Sequence, residues 1–274
     1  MADTAMSDAE VGPNAPGGGT PPDVSRLRGR GCWTEAAQLL APHAERLPEA
    51  ATRRAALLIE RCMYTLDGWA EAEDALRAAE ALARTDDERG EAACERGNLA
   101  YLATLSGLRD RADEARAALM RSAALLPPGA AGRPLLDFRR GLVAENLGED
   151  PAAARAAYRR AHAGAVAHGD LLLTSYTWRH LAGLAARDGD VAEARHGFAE
   201  SLRIRVELGY AVGVAPALAA LAAVTSDPEA GRLRAEAARL VRTLGGVPVW
   251  LAEELEGEAG MDGEAERQEE VDAG

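Results

Sequence analysis

Residues 188–202 read DGDVAEARHGFAESL, which sets a turn, a helix start and an amphipathic helix in one short stretch. Asp188 and Gly189 supply the turn, Asp190 with Glu193 three residues on makes a capping-box pattern, and Ala194 and Phe198 lie four apart on one helical face. A small residue followed by a large one on the same face suits a helix whose backbone approaches its neighbour closely. The fold is decided by the recurrence of that pair. It appears upstream as Ala36 and Leu40, Ala72 and Leu76, Ala115 and Leu119, and Ala154 and Tyr158.

A second series marks another helix in each unit. Phe138, Trp178 and Leu218 stand 40 residues apart, with Gly129, Gly169 and Gly209 before them and Leu142, Ala182 and Ala222 after them at the same spacing. Asp150-Pro151 and Asp227-Pro228 read as an N-cap followed by proline at the first helical position. The uncharged stretch 208–226, LGYAVGVAPALAALAAVTS, is about long enough to cross a bilayer. It is mostly alanine and glycine, contains Pro216, and falls in register with SYTWRHLAGLA at 175–185, so it reads as a buried helix.

These residues resemble the tetratricopeptide repeat family, a helix-turn-helix unit of about 34 residues with the pattern W-x2-L-G-x2-Y, then A-x3-F, then P. The best copy is 175–208, where Trp178, Leu181 and Ala182 match the first helix, Gly189 the turn, and Ala194, Phe198 and Leu202 the second helix. Other copies depart from the pattern. Ala185 stands where tyrosine is preferred, Gly141 where leucine is usual, and Gly231 and Ala235 replace the Ala/Phe pair of the last unit. The longer units are similar to repeat arrays of bacterial transcriptional regulators. What the resemblance implies is an all-α, right-handed superhelical solenoid over residues 24–245.

Composition sets the ends. Residues 1–23 form a Gly/Pro-rich lead, expected to be disordered, and 256–274 an acidic tail too polar to pack. Between repeat and tail, 246–255 reads as a capping helix in which Val249, Trp250 and Leu251 cover the last unit. Of the net charge of −13, the segment from Glu253 to Asp272 carries ten acidic residues against Arg267 alone, and 1–23 carries four acids and no base. The body between is neutral. That argues against nucleic acid, which needs clustered positive charge, and no membrane partner is expected either.

All 31 basic residues are arginine. Without lysine there is no Walker A loop, no Schiff-base or pyridoxal-phosphate lysine and no protein-kinase strand lysine. Cys32, Cys62 and Cys94 are odd in number and far apart, which fits reduced thiols in a cytoplasm, and the N-terminus has no Arg/Lys-led apolar run to act as a secretory signal. GRGCWT fails the dinucleotide fingerprint at its third glycine, and neither G-x-S-x-G nor HExxH occurs. None of the five histidines has a Cys or His at metal spacing. A non-enzymatic protein is expected, with no cofactor and no metal.

The resemblance implies that a partner lies in the concave groove formed by the first helix of each unit. Carried onto this sequence, the groove positions are Arg54, Arg61, Leu136, Arg139, Val143, Asn146, Tyr176, Arg179, His180, Gly183 and Arg187, of which Arg139, Asn146, Tyr176, Arg179, His180 and Arg187 are the candidate peptide-binding residues. Arginine offers paired donors to carboxylates, so another protein or an acidic peptide is the expected partner. The chain then reads as an interaction scaffold or regulatory subunit. The alternative is a ligand- or peptide-sensing module that controls a separate transcriptional regulator. The acidic tail is a second candidate occupant of the arginine groove.

Overall fold

The computed structural model describes residues 22–255, and among these the chain is helical with no strand. The helices come in hairpins: α1 (Pro22–Gly29) with α2 (Trp33–Ala44), α3 (Pro48–Thr65) with α4 (Trp69–Leu82), and α5 (Asp86–Leu105) with α6 (Ala112–Leu125). Next come α7 (Arg133–Asn146) with α8 (Pro151–His168), α9 (Leu171–Arg187) with α10 (Val191–Glu207), and α11 (Ala211–Ala222) with α12 (Glu229–Thr243). A last helical segment occupies 249–255, and each hairpin packs on the next in sequence. The lead up to residue 21 and the tail from 256 lie outside the described residues. Helix α1 starts at Pro22 rather than at 24, since a proline in the first turn lacks only an N–H that would have no helical partner.

Each small–large pair lies at the heart of an even-numbered helix. Ala36, Ala72, Ala115, Ala154 and Ala194 are fully buried, and Leu40, Leu76, Leu119, Tyr158 and Phe198 are buried beside them. The small residues let the odd-numbered helices come close and the large ones fill the space between turns. In the last unit, where the pair is missing, Ala230, Ala237 and Val241 carry the buried face of α12. The uncharged 208–226 stretch supplies α11, with Val212, Ala215, Ala217, Leu218 and Ala222 buried. Among the described residues no helix is long and apolar enough to cross a membrane.

The start signals mostly act as read. Asp150 accepts from the Ala153 N–H at 2.9 Å and Asp190 from the Glu193 N–H at 3.0 Å. Only half of the expected box forms at Asp190; a reciprocal capping box is made instead by Thr85 and Glu88 at the head of α5. Asp227 is a correction. Helix α12 starts one residue later, Pro228 holds its N-cap position with no side-chain cap, and the Asp227 carboxylate sits 3.8 Å from Arg234. Of the glycines spaced 40 apart, Gly169 and Gly209 hold left-handed backbone (φ +69° and +64°) in the turns after α8 and α10, where a side chain would be strained.

The array closes on itself. Val24 and Trp33 from the first hairpin share one core cluster with Tyr64 of α3 and with Tyr210 and Val212 of the α11 unit. At the closest point a Cβ built on Gly29 would stand 2.8 Å from the backbone oxygen of Gly209. Because that obstacle is backbone, Gly29→Val is expected to prise α1 from α11 and to destabilise the fold by about 1–3 kcal/mol. Hydrogen exchange should show residues 22–29 losing protection first; unchanged protection there would mean that α1 does not hold the ring closed.

The segment 249–255 caps the end differently from expectation. Leu251 is buried against Ala215 and Val241, but Trp250 is 37% exposed and turns toward the interior of the ring. Only one of the three expected capping residues is fully buried. The reason is the closure itself, which leaves an inner surface for Trp250 to face.

Candidate functional site

The odd-numbered helices α1, α3, α5, α7 and α9 surround a chamber of about 430 Å³, joined by Arg205 of α10, Pro216 of α11 and Trp250. Its walls are mostly apolar, with Leu57, Leu102, Leu135, Phe138 and Leu142 among them. The Phe138 and Tyr176 rings stack at 5.9 Å between centroids. Five arginines (Arg28, Arg53, Arg139, Arg179, Arg205) and two glutamates (Glu60, Glu95) also line it.

The two glutamates each hold one arginine. Arg28 Nε donates to Glu60 at 2.6 Å, and Arg139 Nη2 donates to both Glu95 oxygens at 2.7 Å, while Arg53 pairs with Glu49 on its own helix. Glu60 also accepts from the Tyr210 hydroxyl at 2.5 Å, and that hydroxyl lies 3.1 Å from Tyr64 and 3.0 Å from Tyr176. This buried cluster ties the first hairpin to the last. Burial, with the Glu60 charge beside them, pushes the Tyr64, Tyr176 and Tyr210 phenols up, so they remain neutral hydrogen-bonding groups.

Arg205 is buried, donates to Ser175 Oγ at 3.3 Å and to the Gly213 carbonyl at 2.8 Å, and stacks over Tyr176 at 5.3 Å. Among the described residues it has no carboxylate partner. Arg179 has neither a hydrogen bond nor an ion pair among them. Burial disfavours its charge and the Arg205 guanidinium does so further, although arginine stays protonated.

The expected binding residues divide. Arg139, Tyr176, Arg179 and His180 meet in the chamber. Asn146 and Arg187 are not among its lining residues: Asn146 donates to the Tyr101 hydroxyl at 2.9 Å, and Arg187 pairs with Glu145. Arg61, taken as a groove position, clamps the α3–α4 turn through Asp67 at 3.1 Å and Glu71 at 3.0 Å. Leu136 and Val143 are buried core. Arg28, Glu60, Glu95, Arg205, Tyr210 and Trp250 were not expected, since their meeting depends on closure of the ring and leaves no mark at repeat spacing.

Beside the chamber, Glu145 accepts from Tyr158 at 2.5 Å, lies 3.0 Å from His180 Nδ1 and pairs with Arg187. Burial would raise this carboxyl, but the His180, Tyr158 and Arg187 contacts outweigh it and hold it down at about 2. Its ionised form therefore stabilises the fold fully above the unfolded carboxyl range near pH 4.5, and that stabilisation is lost as pH falls from there toward about 2. Glu145→Gln should lower Tm at pH 7 and approach wild type on acidification. A gap that stays constant across this range would show that the charge of Glu145 is not what matters.

Two of the three thiols, Cys62 and Cys94, are buried. Burial pushes Cys62 up to about 12 and raises Cys94, whose sulfur accepts from Arg139 at 3.1 Å. Among the described residues no group of three His, Cys, Asp or Glu is placed to hold a metal ion. No protein-family model matches this chain, and no curated protein matches it.

Proposed function

We propose that this protein is a non-enzymatic regulatory subunit of the sensing kind, built of tetratricopeptide-like hairpins wound as a right-handed superhelix, which takes a ligand or a short peptide segment into its interior. The single observation that carries the reading is the chamber, where apolar walls surround the guanidinium of Arg179, left without a partner. A closed ring favours a compact ligand over the long extended peptide that an open groove would take. Arg139, moreover, is fully engaged with Glu95. The interior phenols and thiols are held protonated by burial, which suits binding better than nucleophilic attack.

A photo-reactive benzophenone side chain placed in cells at the chamber position Leu105 and, separately, at the outward-facing Met120 tests this. Both residues are exposed, and only Leu105 lines the chamber. An adduct of peptide or small-molecule mass at Leu105 alone is the expected result. Cross-links to a protein at Met120 with none at Leu105 would replace the sensing role with that of an adaptor working through its outer face.

A further inference from the structure

We propose that the chamber is a site for a small organic acid, an apolar body carrying a carboxylate, with Arg179 and Arg205 as the anchors of the acid group. The inference rests on the reading of the chamber as a receptor and names the chemistry it receives. Its ground is an imbalance of charge. Arg28 and Arg139 are neutralised by Glu60 and Glu95, and Arg53 by Glu49, whereas Arg179 and Arg205 stand together in a desolvated place with no carboxylate from the described residues. Arg205 is buried and Arg179 partly buried; neighbouring cations so placed repel each other and have surrendered hydration, so an anion between them would recover both losses. Guanidinium is also the side chain whose paired donors best fit a carboxylate.

The rest of the chamber specifies the body of the ligand. Phe138 and Tyr176 give a stacked aromatic wall, Leu102 and Leu142 an aliphatic one, and Trp250 is a half-exposed ring at the edge. The volume of about 430 Å³ lies in the range of small-molecule sites, about 300–1,000 Å³. Asn98, on the same lining, has no hydrogen bond among the described residues and is available as a neutral donor or acceptor.

The test uses the full chain and calorimetric titration with three probe acids of different bodies, decanoate, 4-phenylbutyrate and indole-3-acetate, each beside its neutral primary amide. A tetrapeptide ending in phenylalanine, as free acid and as amide, forms a further arm. At least one probe acid is expected to bind about 10–100-fold more tightly than its amide, and Arg179→Gln should abolish that preference while leaving the amide unchanged. If only the peptide acid binds, and binding depends on Arg179, the carboxylate comes from a peptide end and the small-acid assignment falls. Should acids and amides bind alike, the chamber remains a receptor but its anionic chemistry is overturned. No binding by any of them at millimolar concentration overturns the proposal without touching capture at Leu105.

Arg179→Gln has a second readout that needs no ligand. An unpaired, partly buried cation with a second cation beside it destabilises the fold, so its removal should raise Tm of the ligand-free protein. A lower Tm would give Arg179 a structural role and overturn the proposal.

Discussion

Arg139→Ala is expected to lower folding stability by about 3–5 kcal/mol, the range seen when one member of a buried ion pair is removed. Its Nη2 atom donates to both Glu95 oxygens at 2.7 Å and its Nη1 atom to Cys94 Sγ at 3.1 Å, so one side chain joins α7 to two residues of α5. Both charges are buried. In the alanine variant the buried Glu95 side chain loses the guanidinium that both of its oxygens bind. Urea unfolding followed by circular dichroism measures the loss. The double variant Arg139→Met/Glu95→Leu separates pair from packing, because apolar groups of similar volume restore most of the stability when a buried pair is replaced whole. A single variant within about 1 kcal/mol of wild type would put the pair in the class of solvated surface bridges.

Tyr158→Ala should be of similar size, about 3–5 kcal/mol, through the cavity left by a large aromatic side chain. The ring is fully buried, lies 5.6 Å from Phe138 and 4.9 Å from His180, and fills the space in front of Gly141. A Cβ built on Gly141 would stand 2.4 Å from the Tyr158 ring, which is why this unit has glycine where the repeat pattern wants leucine. The missing side chain at Gly141 on α7 makes room for the Tyr158 ring on α8. Tyr158→Phe isolates the hydroxyl, which donates to Glu145, and should cost only about 1 kcal/mol since His180 and Arg187 still hold that carboxylate. Equal losses for the phenylalanine and alanine variants would show that the hydroxyl, and not the ring, carries the effect.

How much of this was legible differs from residue to residue. Ala194 and Phe198, Ala154 and Tyr158, and their upstream counterparts are a local pattern with a local cause, the need of a helix to bury one stripe, and all of them are buried. Asp150 and Asp190 cap as their spacing indicates, because a cap reads only the next three residues. Asp227 does not, since Pro228 takes the N-cap position and the helix begins at Glu229. Within the groove, the resemblance to the repeat family implied that Tyr176, Arg179 and His180 face inward, and all three line the chamber. The resemblance could not tell them from Asn146 and Arg187, whose partners Tyr101 and Glu145 lie 45 and 42 residues away.

The sequence by itself determined the all-helical class, the hairpin unit and the residues on each buried stripe, for these follow from contacts between neighbours along the chain. Tertiary structure alone decided that α1 meets α11, that Glu60 and Tyr210, 150 residues apart, share a hydrogen bond, and that Arg139 is spent on Glu95 while Arg179 is left facing the chamber. The physical reason is cumulative geometry. Small rotations between successive hairpins sum over the whole array before its ends meet, and no single repeat records that sum.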